Sequence, residues 1–240
     1  FAKLVRWLAE DLKADKVALV YVNNAFGRGG REMFLKFLKD RGKTVVADIS
    51  TEPQQADFTP ELTRVRASGA THLMVYSHEE ENARLMIQLR KLGLSVEPVG
   101  DNLCAQTAID PGGEAMNGVK CHVPMTAASP VPSMADMGRR FQEKYGRVPD
   151  HNGFKAYIGT HMVKAAVERV GAFDQAKVRD CLHNNLFTAA EEPGLLMDVY
   201  VDEKGDSDRA SFIVEVQNRQ TKVIKVVGML GGPYTKRACR

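Results

Sequence analysis

Five apolar runs recur along the first half of the chain, beginning near residues 16, 44, 72, 96 and 119. A period of roughly 25 residues is what a strand, a crossover helix and two short loops require. The first run, Val17 to Val22 (VALVYV), is continuous rather than alternating, as a strand buried on both faces of a parallel sheet demands. Asn23 and Asn24 stop it. Phe26-Gly27-Arg28-Gly29-Gly30 is expected to make a tight turn, after which Met33, Phe34, Phe37 and Leu38 fall at helical spacing. Strand, glycine-bearing loop and helix form the first half of a βαβ unit. In open α/β sheets, ligands bind at such loops, beyond the carboxyl ends of the strands.

The same rhythm continues to Pro124. Thr44–Ile49 is the second expected strand, and a helix over Asp57–Ser68 follows, stopped by Gly69. His72–Ser77 is the third strand. Ser77 with Glu80 three residues on has the spacing of a capping box. The helix it opens turns Leu85, Met86, Leu89 and Leu92 inward and stops at Gly93. Val96–Gly100 and Val119–Val123 are the fourth and fifth strands, with a loop and a short helix over Leu103–Ala115 between them. This pattern predicts a doubly wound α/β fold, a Rossmann-like parallel sheet with flanking helices and right-handed crossovers.

Beyond Pro124 the pattern changes. A Pro/Ser-rich linker, AASPVPSM, leads into three helical segments near Met134–Tyr145, Gly153–Val170 and Asp174–His183, with no strong strand among them. Helices without a sheet need a partner surface. Phe154, Tyr157, Ile158, Met162 and Ala165 are spaced for burial and are expected to be left exposed. Met197–Val201, Phe212–Val216 and Val223–Val227 restore strand character, the last two as an antiparallel edge pair.

Charge and motifs narrow the function. Thirty-three basic residues against 30 acidic ones give a net charge of +3 without a basic block, which argues against a nucleic-acid partner. No apolar run reaches the ~18 residues of a membrane span, so direct membrane insertion is not expected. The first residues are expected to form an amphipathic helix rather than a signal peptide, the pattern expected of a processed or truncated chain. Gly27-x-Gly29-Gly30 lacks the dinucleotide fingerprint, and no catalytic motif is present. An enzyme is therefore not expected, nor a cofactor, nor a metal. His78-Glu79-Glu80-Glu81 is better explained as acids complementing a helix N-terminus than as a metal site. Cys104, Cys121, Cys181 and Cys239 have no zinc-ligand spacing; one disulfide, such as Cys104 with Cys121, and four unbridged thiols are both compatible with the sequence.

Five stretches in their order and spacing carry a resemblance: KVALVYVNNAFGRGG, DFTPELTRVRASGATHLMVY, a helix ending LRKLGL, YGRVPD after a later helix, and VDEKGD before the last strands. From about residue 1 to 228 the chain resembles the periplasmic solute-binding proteins of branched-chain amino acid ABC transporters, the Leu/Ile/Val-binding class with the type I periplasmic-binding-protein fold. Members have two α/β lobes with a ligand closed in the cleft between them. The resemblance implies that residues 1–126 and 200–240 make the second lobe. Residues 127–199 would be part of the first lobe, mostly helical, whose opening βα units are absent.

The resemblance also implies a site. Phe26 stands where amino-acid binders usually have Tyr in the loop after the lobe's first strand. His78 stands where the Leu/Ile/Val type has Tyr after the third. After the fourth strand, Asn102, with Asp101 beside it, occupies the place of the acid that pairs with the ligand's ammonium. A buried ammonium needs a carboxylate, which Asp101 can supply and Asn102 cannot. A carboxylate, amide or aromatic acid lacking an ammonium fits Phe26, His78 and Asn102 at least as well. The implied function is a periplasmic receptor that delivers a small amino acid or related molecule to an ABC permease. The alternative is a sensory domain of the same fold.

Overall fold

The computed structural model describes residues 1–239. They group into two compact units, one formed by residues 1–123 with 213–224, the other by residues 124–212 with Lys225 onward.

The first unit is built on a sheet of order β10-β9-β5-β4-β3-β1-β2. Its strands are β1 (Val17–Val22), β2 (Val45–Thr51), β3 (His72–Tyr76), β4 (Glu97–Gly100), β5 (Lys120–Val123), β9 (Ser211–Gln217) and β10 (Gln220–Val227). β1 pairs in parallel with both β2 and β3, β3 with β4, and β4 with β5. The strand order therefore reverses direction between β1 and β3, the topological switch point of a doubly wound sheet. The continuous apolar run has the expected consequence: Val17, Ala18, Leu19, Val20 and Val22 are all buried. β9 and β10 form a hairpin whose two-residue loop, Asn218-Arg219, has φ of 51° and 62°. Positive φ at both positions suits the type I′ turn that matches strand twist. β10 takes the edge, as expected, but Ile213 is buried together with Phe212, Val214 and Val216, so β9 is covered on both faces.

The helices of this unit are α1 (Ala2–Glu10), α2 (Ala25–Lys39), α3 (Thr59–Ala67), α4 (Glu79–Lys91) and α5 (Gln106–Gly112). α1 packs against α2 and α4 against α5. Two local expectations need correction. The stretch Phe26–Gly30 is not a turn but the opening of α2, capped by Asn24. Its glycines mark close packing: a Cβ on Gly27 would meet the Val22 carbonyl oxygen at 1.7 Å, and one on Gly30 would meet the Tyr76 ring at 2.0 Å. The cap of α4 also lies one residue later than expected, at His78, whose N–H donates to Glu81 rather than Glu80.

The second unit contains α6 (Pro132–Tyr145), α7 (His151–Val170) and α8 (Gln175–Leu182), together with a three-stranded antiparallel sheet of order β6-β7-β8. Asp150 and Asp174 cap α7 and α8, and Gly146 and Gly171 end α6 and α7 in the left-handed region. The strands are β6 (Asn185–Phe187), β7 (Val199–Val201) and β8 (Ser207–Arg209). Residues 199–209 group here because β7 and β8 pair with β6, while Ser211 and Phe212 begin β9 of the larger sheet. The apolar face of α7 is also not left open as expected. α7 packs against α8 and the turn Pro193–Leu195, burying Phe154, Ile158 and Ala165 and half-burying Tyr157 and Met162.

All four cysteines are bridged, Cys104 to Cys121 in the first unit and Cys181 to Cys239 in the second.

Candidate functional site

The loops after β1, β2, β3 and β4 interlock at the carboxyl edge of the sheet. After β1, the Asn24 carboxamide oxygen accepts from the Gly27 N–H at 2.9 Å and caps α2. That bond turns the Asn24 amide nitrogen toward His78 Nε2, 2.9 Å away, so this ring nitrogen is the acceptor of the pair. Asn24 thus joins the loops on either side of the switch point. After β3, Ser77 is buried and its hydroxyl donates to Glu81 at 2.5 Å. Glu81 also accepts from the backbone N–H of Gln54 at 2.5 Å, which fixes the loop after β2, and from that of His78 at 3.2 Å. Burial alone would push the Glu81 carboxyl up. The bonds from Ser77, Gln54 and His78 outweigh it and hold the group below the ordinary glutamate range. After β4, Asn102 donates to the Ser77 carbonyl at 3.0 Å.

The loops that carry the sequence-predicted residues therefore meet. Phe26 sits in the first turn of α2, 40% exposed, with its ring within 20° of parallel to two others: Tyr76 at 4.3 Å and His78 at 5.3 Å between centroids. Asn102 reaches the residue preceding His78 through its bond to Ser77. Asp101 is half-exposed at the start of the short 3₁₀ turn Asn102–Cys104. Its charge is felt at the Tyr76 hydroxyl. That hydroxyl is pushed up to about 12, first by burial and then by Asp101, so it stays protonated and can donate. The Asn102 carboxamide oxygen is buried without a hydrogen-bond partner, as is that of Asn82, which is fully buried at the start of α4. The half-exposed Asp101 carboxylate and the stack of Phe26 on Tyr76 and His78 make a surface that can receive a donor-bearing small molecule.

Sequence reasoning missed Tyr76 and Asn24. Tyr76 is hidden in the strand run HLMVYS, where an aromatic is an ordinary core residue. The signal that could have found it is Gly30, the glycine its ring needs on α2. Asn24 looked like a strand terminator and is instead the cap and the link to His78. Glu81, weighed with its neighbours against a metal site, is engaged in fixing loops.

A parallel sheet with aromatic and polar side chains gathered at its switch point is the architecture of a small-molecule-binding α/β protein, and here it is the type I periplasmic-binding fold. The chain belongs to the periplasmic binding protein family, whose model matches residues 1–221. It is 21% identical over 219 residues to Leu/Ile/Val-binding protein homolog 7 of Brucella suis biovar 1, an alignment covering 88% of this chain and 55% of that protein. Among solved structures, it is similar to the leucine binding protein LivK of Thermotoga maritima, with a TM-score of 0.80 at 22% identity, covering 95% of this chain and 64% of that one. It is also similar to an R. palustris ABC transporter solute binding protein in complex with benzoate, with a TM-score of 0.79 at 13% identity over 97% of this chain and 64% of that one. The chain spans about half the length of the curated relatives it matches.

Proposed function

We propose that this chain carries a ligand-gripping surface of an extracytoplasmic solute-binding protein, which captures a small amino acid or related molecule and delivers it to an ABC transporter permease. The observation that carries the reading is that Phe26 stacks on His78 at the switch point while Asn102, next to Asp101, bonds the Ser77 carbonyl beside it, so that three loops converge at the carboxyl edge of the sheet. In this reading Asp101 pairs with a ligand ammonium, Asn102 lines the same loop beside it, and Phe26 with His78 packs against the side chain. Two disulfides support an oxidising, extracytoplasmic compartment. The relatives' names support the amino-acid class.

A second ligand class is favoured by a specific observation. Phe26 lies parallel to two rings and brings no hydroxyl to the surface, which suits a flat aromatic carboxylate or amide as well as an aliphatic side chain. A thermal-shift screen of amino acids, amides and aromatic acids, followed by calorimetry, separates the two. Stabilisation by amino acids that is lost in Asp101→Asn supports the first. Stabilisation by aromatic acids, unaffected by that change, supports the second. No stabilisation by any of the three classes defeats the proposal.

A further inference from the structure

The Cys104–Cys121 disulfide does more at this site than cross-link the sheet. Gly100, the last residue of β4, is paired directly with Cys121 of β5. The chain then turns back, and four residues later Cys104 is bonded to that same Cys121, with 5.9 Å between their Cα atoms. Asp101 and Asn102 are therefore held in a small covalent and hydrogen-bonded ring. The turn is tight: a Cβ on Gly100 would meet the Leu103 Cβ at 2.6 Å. Leu103, Cys104 and Cys121 are buried, while Asp101 and Asn102 remain half-exposed. Asn102 adds a third tether through the Ser77 carbonyl.

We propose that this disulfide is a positioning element of the ligand site, which holds Asp101 and Asn102 in binding geometry before the ligand arrives. The inference rests on the reading of those two residues as ligand-facing. Preorganisation of a loop raises affinity by removing the ordering cost at binding. The second disulfide supplies an internal comparison. Cys104–Cys121 spans 17 residues and Cys181–Cys239 spans 58, so on chain entropy alone the second contributes more to stability. A purely stabilising role would rank the two bonds in that order in global unfolding and in ligand affinity alike. A positioning role reverses the order at the site.

The test is hydrogen–deuterium exchange of the full chain, comparing wild type with Cys104→Ala/Cys121→Val and with Cys181→Ala/Cys239→Ala. The first variant should speed exchange in the peptide spanning residues 101–104 by about tenfold while leaving β1 and β3 protected, and the second should leave that peptide unchanged. In parallel, L-leucine and benzoate are titrated by calorimetry. Whichever binds should bind about tenfold more weakly to the first variant and with unchanged affinity to the second. Unchanged exchange at 101–104, or equal effects of the two variants there, overturns the proposal. If neither probe binds wild type, the ligand is taken from the three-class screen above; failure of that whole screen defeats the functional reading, and the exchange result alone then decides whether the disulfide orders residues 101–104. Should the first variant not fold, the same exchange comparison is made on wild type before and after reduction by a phosphine, with the opened pair mapped by mass spectrometry.

Discussion

Replacing Gly30 by Ala tests whether the Tyr76 ring is fixed against α2. Gly30 lies in the helix interior, where Ala is favoured over Gly by about 0.5–1 kcal/mol. The new methyl would sit 2.0, 2.3 and 2.7 Å from three Tyr76 ring atoms. Tyr76 is 9% exposed and hemmed in by Phe1 at 5.0 Å and Phe26 at 4.3 Å, so the ring cannot swing clear without moving the site. Overpacking of this kind costs about 1–3 kcal/mol. Gly29, one residue earlier in the same helix, has nothing within 4 Å of a built Cβ. Gly29→Ala carries the same helix term without the clash, so the difference between the two variants, about 1–3 kcal/mol, isolates the packing cost. Gly29→Ala should stabilise and Gly30→Ala should not. Gly27→Ala should be the worst of the three, because the obstruction at 1.7 Å is the Val22 backbone, which cannot rotate away. The assay is urea unfolding followed by the fluorescence of Trp7, the single tryptophan, buried on α1 in the same unit. Equal midpoints for Gly29→Ala and Gly30→Ala would refute the packing that places Tyr76 beneath Phe26.

Further outcomes follow from the loop network. Asn24→Ala should lower stability by about 1 kcal/mol through loss of the α2 cap, read by the same urea assay, and should also remove the hydrogen bond at His78 Nε2. Asp101→Asn should weaken an amino-acid ligand by more than about tenfold through loss of a charge-assisted bond and leave an aromatic acid unaffected, measured by calorimetry. Glu81, held below its ordinary value in the folded chain despite its burial, contributes stability that is present above the unfolded-state glutamate value and lost as pH falls through the folded one. Stability measured across the acid range should therefore decline less steeply in Glu81→Gln than in wild type, and parallel acid limbs would remove Glu81 from the network's electrostatics.

The parallel strands were legible because a sheet covered on both faces leaves a continuous apolar run, and β1 matches its expected limits. The opening of α2 was not, because the same residue, glycine, serves turns and close approaches, and only coordinates show that Val22 and Tyr76 lie above Gly27 and Gly30. β6 is three residues long, too short for alternation to register. The Cys181–Cys239 pair lies 58 residues apart, beyond any spacing rule. At the site, Phe26 was legible because the resemblance assigns an aromatic to the loop after the lobe's first strand. Tyr76 did not, because its strand run already accounted for it. The link from Asn24 to His78 joins residues 54 apart and depends on strand order, which one sequence does not print.

The order of strands in the first unit has a consequence for how the chain is made. β5 pairs with β4 on one side and is covered by β9 on the other, yet residues 124–210 separate the two in the chain. A polypeptide emerging from its amino end therefore presents β5 as a bare edge throughout the synthesis of that intervening stretch. Unpaired edges recruit other strands. The interval before Ser211–Gln217 arrives is the period in which this protein is most exposed to mispairing. Holding the nascent chain extended until its last strands are available, as a holdase chaperone does, would meet a need written into the connectivity of this sheet.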